Sequence, residues 1–199
     1  DVYKRQVLYY RLPAKKLTII GITGTDGKTT TATLIYQILK KAGCRTALIS
    51  TVNAKIGNKN LPTGLHVTSP DPWKLQRLLR LVVDKGFDYL VLEVTSHGLS
   101  QYRFYSCCFD IAVITNITRE HLDYHKTWFN YLKTKAKLFR SANLSILNKE
   151  DNSFKYLKKI AGGKVKTYGF KNADFTLRNC FFQTKIIGRF NQLNCLAAF

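Results

Sequence analysis

The sequence predicts an α/β protein, a doubly wound and mainly parallel sheet flanked by helices, with a small β-hairpin at its edge. Three observations predict it. Short β-branched or apolar runs of strand length alternate with helical patterns of about 10–15 residues, as repeated βαβ units require. Two of the runs, 89–94 and 111–115, are almost continuously apolar, which suits strands covered on both faces. A glycine-rich turn separates the first strand from the first long helix, where α/β folds hold phosphate.

Taken in order, residues 17–22 form the first strand, and 28–42 form a helix through Leu34, Ile35, Ile38 and Leu39. Residues 45–50 are a second strand, and 53–62, with Gly57 and asparagines, read as a hairpin or loop. Pro70 and Pro72 open a helix carrying Leu75, Leu78, Leu79 and Val82, with Gly86 just past its end. After the two apolar strands, a helix starts near Thr127 and closes with Leu138 and Phe139. Residues 145–148 are a strand, 154–160 a weaker helix and 165–169 a further strand. Residues 174–177 and 181–187 are expected to pair as a hairpin at the sheet edge, and 191–199 to begin a helix.

A length of 199 residues allows one full domain, and 45% hydrophobic with 13% aromatic content excludes global disorder. No apolar run approaches the roughly 18 residues of a membrane span, and no leader precedes a cleavage site, so a cytoplasmic protein is expected. The five cysteines are odd in number, and the adjacent pair Cys107 and Cys108 suits neither a redox pair nor zinc; reduced thiols fit. Methionine is absent. The chain therefore reads as part of a longer frame, with residues 1–6 as an unrelated lead.

The 32 Lys and Arg against 12 Asp and Glu leave +20, which points to an anionic partner. Nucleic acid would ask for a concentrated basic groove interleaved with aromatics. The cations are instead dispersed, as at Lys40-Lys41 and Lys158-Lys159.

Gly24-Thr-Asp-Gly-Lys-Thr-Thr30 lies between strand and helix. Glycines at 24 and 27 let backbone N–H groups converge on phosphate, Lys28 reaches the outer oxygens, and the Thr29 hydroxyl is a Mg²⁺ ligand. The loop is shorter than the general G-x-x-x-x-G-K-[ST] pattern, because position 22 is Ile. Glu93 ends a buried strand at the edge where such sheets bind ligands, and serves equally as a metal carboxylate or as a cap for the next turn. His97, His121 and His125 fall with acids in the two segments that follow buried strands, which favours chemistry over packing. Lys135 shares a helix face with Tyr131, Leu132, Leu138 and Phe139; by itself this reads as a lysine whose stem packs while its ammonium reaches water.

Six strings then resemble the Mur ligases, the ADP-forming amide ligases of peptidoglycan precursor synthesis. They are residues 23–31, Thr68-Ser-Pro-Asp-Pro72, Glu93-Val-Thr-Ser-His-Gly-Leu99, residues 115–125, Lys135-Ala-Lys-Leu-Phe139 and Gly188-Arg-Phe-Asn191. Ser-His-Gly-Leu and Arg-Glu-His-Leu-Asp are similar to the UDP-N-acetylmuramoyl-tripeptide synthetase (MurE-like) branch rather than to the folylpolyglutamate or cyanophycin branches. The family's own short loop accounts for the shortened phosphate motif. This chain has Asp26 where the family usually has Asn, Thr95 for Ser, and Ser69 in its Thr-Thr-Pro string.

The resemblance implies a P-loop NTPase-like central ATP-binding domain over 17–199, a remnant of an N-terminal domain or linker over 1–16, and no C-terminal ligase domain. It implies that ATP activates the carboxylate of a UDP-muramoyl-dipeptide as an acyl phosphate, which an amino acid's amine then attacks. Lys28, Glu93, His121 and Lys135 are the implied catalytic residues. Gly24, Thr25, Asp26, Gly27, Lys28, Thr29, Thr30, Asn116 and Asn191 would bind ATP. Thr68, Ser69, Thr95, Gln101 and Arg103 would face the muramoyl peptide. Mg²⁺ would be held by Thr29, Glu93, His121 and Lys135, the last carbamylated by CO₂. The implied partners are small molecules, with no nucleic acid or membrane, and the protein is expected to be a monomer.

Overall fold

The computed structural model describes residues 2–63, 69–118, 120 and 122–199. The chain begins with helix α1 (Val2–Tyr9) and a 3₁₀ turn (Pro13–Lys16), then β1 (Thr18–Thr23), α2 (Lys28–Lys41), β2 (Thr46–Ile49), β3 (Asn53–Ile56) and β4 (Lys59–Pro62). It continues through α3 (Pro72–Asp84), β5 (Tyr89–Glu93), α4 (Ser96–Ser100), β6 (Ile111–Ile114), α5 (Leu122–His125) and α6 (Trp128–Arg140). The last elements are β7 (Leu144–Asn148), α7 (Phe154–Ile160), β8 (Lys164–Tyr168) and α8 (Arg189–Ala198).

Among the described residues the strands form one sheet in the order β4-β3-β2-β5-β1-β6-β7-β8. The pairs β2-β5, β5-β1, β1-β6, β6-β7 and β7-β8 are parallel, whereas β3 is antiparallel to both of its neighbours, β2 and β4. Alternate residues of each central strand feed opposite cores. Ile19, Leu90, Leu92 and Ile114 join α3 and α6 on one side. Ile20, Ile22, Val91 and Val113 join α2 and α8 on the other. Both faces are thus covered, which is why these strands read as unbroken apolar runs.

Helix boundaries follow local chemistry. Asp71 caps α3 by accepting the Lys74 N–H at 3.0 Å, with Pro72 in its first turn. Thr127 caps α6 through the Asn130 N–H at 3.2 Å. Helix α1, which begins within the 1–6 lead and runs past it, sets Tyr9 in a stack with Trp73 of α3 at 5.5 Å.

The hairpin expected from 174–177 and 181–187 does not form. The Asp174 carboxylate accepts the Thr167 N–H at 2.7 Å and its hydroxyl at 2.8 Å, and Asn179 Oδ1 accepts the Thr176 N–H at 2.7 Å. These side-chain bonds compete with strand pairing and turn the backbone on itself. One parallel bridge remains, Tyr168 with Phe175, and residues 183–190 are exposed. The antiparallel edge hairpin is β3–β4 instead.

Strand order reverses around β1, since β5 lies on one side of it and β6 on the other. That is the crevice where open α/β sheets bind ligands.

Candidate active site

Residues 24–27 link β1 to α2, and their conformation demands glycine. Gly24 and Gly27 have φ of +151° and +76°. A Cβ on Gly24 would stand 1.8 Å from Thr115 Oγ1, and one on Gly27 2.4 Å from Asn194 Oδ1. The end of β6 holds the loop from one side. The Thr25 N–H donates to the Asn116 carbonyl at 2.8 Å, the Asp26 N–H to Asn116 Oδ1 at 3.0 Å, and Thr115 Oγ1 to the Asp26 carbonyl at 2.6 Å. The Asp26 side chain is exposed, so its extra negative charge faces solvent.

Lys28 folds back so that its ammonium donates to the Thr25 carbonyl at 2.5 Å. Thr29 faces β5 and donates its hydroxyl to Glu93 Oε2 at 2.9 Å. Glu93 is 2% exposed and also accepts the Thr51 N–H at 3.2 Å and the Thr51 hydroxyl at 3.4 Å. A buried carboxylate needs such donors. Thr51 follows β2 at the same sheet edge and was not singled out from the sequence; its position just past a strand end was the available signal. Thr30 lies half-buried in the first turn of α2.

Lys135 does not reach water. It is 1% exposed, and its amine donates to the Gly24 carbonyl at 2.7 Å and lies 3.4 Å from Thr23 Oγ1. Burial, reinforced by the Lys28 charge, holds its pKa well below the usual lysine range, while Glu120 and Glu93 pull the other way. The reading of Lys135 as a packed stem with a solvated head is corrected: α6 directs the whole side chain under the phosphate loop, where the Gly24 carbonyl replaces water.

Lys28, Thr29, Glu93, Thr95, His97 and Lys135 line one cavity of about 220 Å³, along with Thr51 and Tyr131. Of the expected peptide-facing residues, Ser69 and Thr95 share a hydroxyl hydrogen bond of 2.9 Å, and Thr95 also caps α4 through the Gly98 N–H at 3.1 Å. Arg103 donates to the Ser69 carbonyl through Nη1 and to Gln101 Oε1 at 2.9 Å. These four residues therefore form one connected group beside the cavity. Thr68 and His121 lie outside the described residues.

A second cavity of about 440 Å³ opens on the other side of the loop, between Asp26, Gly27, Asn116, Asn148, Phe190 and Asn194. Asn191 is buried, with Nδ2 donating to the Ile187 carbonyl at 2.8 Å and Oδ1 accepting from Asn194 Nδ2 at 3.1 Å. Asn194, one turn further along α8, is the side chain that meets the loop. It was not anticipated, although the i, i+3 spacing of the two asparagines was visible in the sequence.

The Thr29 hydroxyl and Glu93 carboxylate are hard oxygen ligands at the mouth of a phosphate loop, a donor set that fits Mg²⁺. Among the described residues, no group of three or more His, Cys, Asp or Glu could hold a metal. No helix among the described residues is long and apolar enough to cross a membrane.

Residues 22–199 match the family model of the Mur ligase middle domain. The chain is 43% identical over 179 residues to the UDP-N-acetylmuramoyl-L-alanyl-D-glutamate–2,6-diaminopimelate ligase of Clostridium botulinum, covering 89% of this chain and 36% of that protein. The enzyme of the same name from Aquifex aeolicus is 40% identical over 209 residues, 96% of this chain and 43% of that one. A solved structure of such a ligase superposes with a TM-score of 0.84 at 30% identity, over 98% of this chain and 44% of that one. The chain spans less than half the length of the curated relatives it matches.

Proposed function

The chain belongs to the Mur ligase family, and from that premise we propose that residues 17–199 are the ATP-binding body of an ADP-forming amide ligase that extends a UDP-N-acetylmuramoyl-dipeptide by one amino acid. Residues 1–16 then lead into it from a neighbouring part of the enzyme. The observation that carries this reading is the convergence of Lys28, Thr29, Glu93 and Lys135 on one cavity at the phosphate loop.

A carboxylate is a poor electrophile, so it takes the terminal phosphoryl group of ATP, and an amine then displaces phosphate from the acyl phosphate. Protein catalysis of such transfers rests on positioning and charge neutralisation. Lys28 leaves the Thr25 carbonyl to meet the outer phosphate oxygens, and the loop N–H groups and the start of α2 face the inner ones. Thr29 and Glu93, with His121, hold Mg²⁺, which neutralises charge on the phosphates. Ser69, Thr95, Gln101 and Arg103, with Thr68, orient the muramoyl peptide. The larger cavity receives the adenine between Asn116, Asn191 with Asn194, and the exposed Phe190 ring.

Lys135 in its neutral form would add to CO₂: its nitrogen lone pair forms the N–C bond as one C=O π pair moves onto oxygen, and the proton lost from nitrogen passes to water, turning the amine into a carboxylate-like group. Burial, reinforced by Lys28, lowers that amine's pKa well below the usual lysine range and so favours the neutral form. The enzyme works as a cytoplasmic monomer on small anions, which suits dispersed cations better than nucleic acid does. The relatives' names make 2,6-diaminopimelate the amino acid to test first.

The test replaces the matching segment of the Clostridium botulinum ligase with residues 17–199 and follows ADP release. ADP should appear only when ATP, Mg²⁺, the muramoyl dipeptide and diaminopimelate are all present. A chimera that releases ADP without regard to the dipeptide, or an isolated chain whose binding of Mg-ATP is unaffected by Lys28→Ala, contradicts the assignment.

A further inference from the structure

Tyr131 is among the largest fully buried side chains, 1% exposed, but its two ends meet different parts of the site. It stands one turn before Lys135 on α6, so the two side chains share a face. The Lys135 amine lies 4.6 Å from the centre of the Tyr131 ring and donates onward to the Gly24 carbonyl at 2.7 Å. The Tyr131 hydroxyl lies 3.3 Å from Thr25 Oγ1, which also accepts the Thr118 N–H at 3.0 Å. The Thr25 carbonyl is in turn the acceptor for Lys28. Two successive residues of the phosphate loop are therefore held by two residues one turn apart on a single helix.

A helix turn is stiff, whereas a loop hinged on two glycines has wide conformational freedom. Where the two are bonded, the helix imposes its geometry on the loop. We propose that Tyr131 is a positioning residue for nucleotide binding, its hydroxyl pinning Thr25 so that the loop N–H groups and Lys28 are arranged before ATP arrives. Ordering the loop in advance removes a cost that binding would otherwise carry. This inference rests on the ATP-binding reading above and adds a residue to it.

The experiment titrates the 199-residue chain with a fluorescent ATP analogue in Mg²⁺, comparing wild type with Lys28→Ala, Tyr131→Phe, Thr25→Val, Thr25→Ser and the double variant Tyr131→Phe/Thr25→Val. Tyr131→Phe keeps the ring against Lys135 and deletes only the hydroxyl. It should weaken binding about threefold to tenfold, the scale of one hydrogen bond, with a melting temperature within about 4 °C of wild type. Thr25→Val should weaken binding as well, the double variant should bind no worse than the weaker single one, and Thr25→Ser, which keeps the hydroxyl, should bind more tightly than Thr25→Val. Tyr131→Phe binding as tightly as wild type, or losses that add in the double variant, overturns the inference and leaves the ATP reading intact. A large fall in melting temperature for Tyr131→Phe with Thr25→Val at full affinity also overturns it, because the ring then only fills the core. Wild type binding no better than Lys28→Ala overturns the ATP reading and this inference with it.

Discussion

Thr29 and Glu93, 64 residues apart in sequence, meet in a 2.9 Å hydrogen bond between the first turn of α2 and the end of β5. The register that pairs Ile22 with Glu93 sets the carboxylate level with the phosphate loop, and Thr51 also donates to it through its N–H and hydroxyl. Glu93→Gln keeps a side chain of the same shape and removes the charge. The Mg²⁺ concentration needed for nucleotide binding should rise by at least about tenfold, with metal-free nucleotide binding unchanged. An unaltered Mg²⁺ midpoint in a titration would remove Glu93 from the metal site.

Lys135→Ala in the chimeric ligase should abolish ligation, and acetate should restore part of it by standing in for the carbamate. Lys135→Arg should stay inactive with or without acetate, since a guanidinium remains charged and does not add CO₂. Labelled CO₂ should give a carbamate carbon signal in wild type that both variants lack. Full activity in either variant, or no labelled signal in wild type, counts against carbamylation.

The same lysine gives stability a pH slope. Its folded pKa is depressed by burial and by Lys28, while in the unfolded chain it titrates as an ordinary lysine. Between the two values the unfolded state binds the extra proton, so stability should rise with pH through that window and level off above the ordinary lysine pKa. In CO₂-free buffer, denaturant unfolding of the chain at a series of alkaline pH values should show this rise, and Lys135→Met should flatten it. Equal slopes for the two proteins would mean that other groups set the pH dependence.

Gly27→Ala should lose stability by about 1–3 kcal/mol, through backbone strain at φ +76° and through the encroachment on Asn194. Gly43→Ala provides the control, because φ is +82° there and a Cβ would meet nothing within 4 Å. Its cost is conformational only, and it should bind nucleotide normally, whereas Gly27→Ala should not. Comparable nucleotide affinities in the two variants would show that the Asn194 contact does not shape the loop.

Much of the architecture was legible in the apolar spacing. The 154–160 helix follows its pattern to the residue, and the start of α2 at Lys28 follows from the glycines before it. The edge of the sheet was not legible in the same way. Residues 174–187 have strand-like composition, but Asp174 and Asn179 bond to backbone and hydroxyl groups nearby, an outcome that depends on where Thr167 sits in β8. The short helices α4 and α5 also escaped, because at 5 and 4 residues they carry no apolar period to read.

Within the site, the sequence by itself determined the glycine turn between β1 and α2, because Gly24 and Gly27 act through local backbone geometry and Lys28 and Thr29 follow by adjacency. It also determined which residue types stand at the ends of the buried strands, Glu93 among them. Only the tertiary structure decided which distant groups those residues meet. Thr51 reaches Glu93 across 42 positions, Tyr131 reaches Thr25 across 106, and Lys135 reaches Gly24 across 111. Those encounters depend on strand order and on the rotation of α6 about its own axis, which packing against the sheet sets and local spacing does not. Lys135 shows the difference most plainly: on its helix it is a lysine on an apolar stripe, and the carbonyl of Gly24 above that stripe is what keeps it from reaching water.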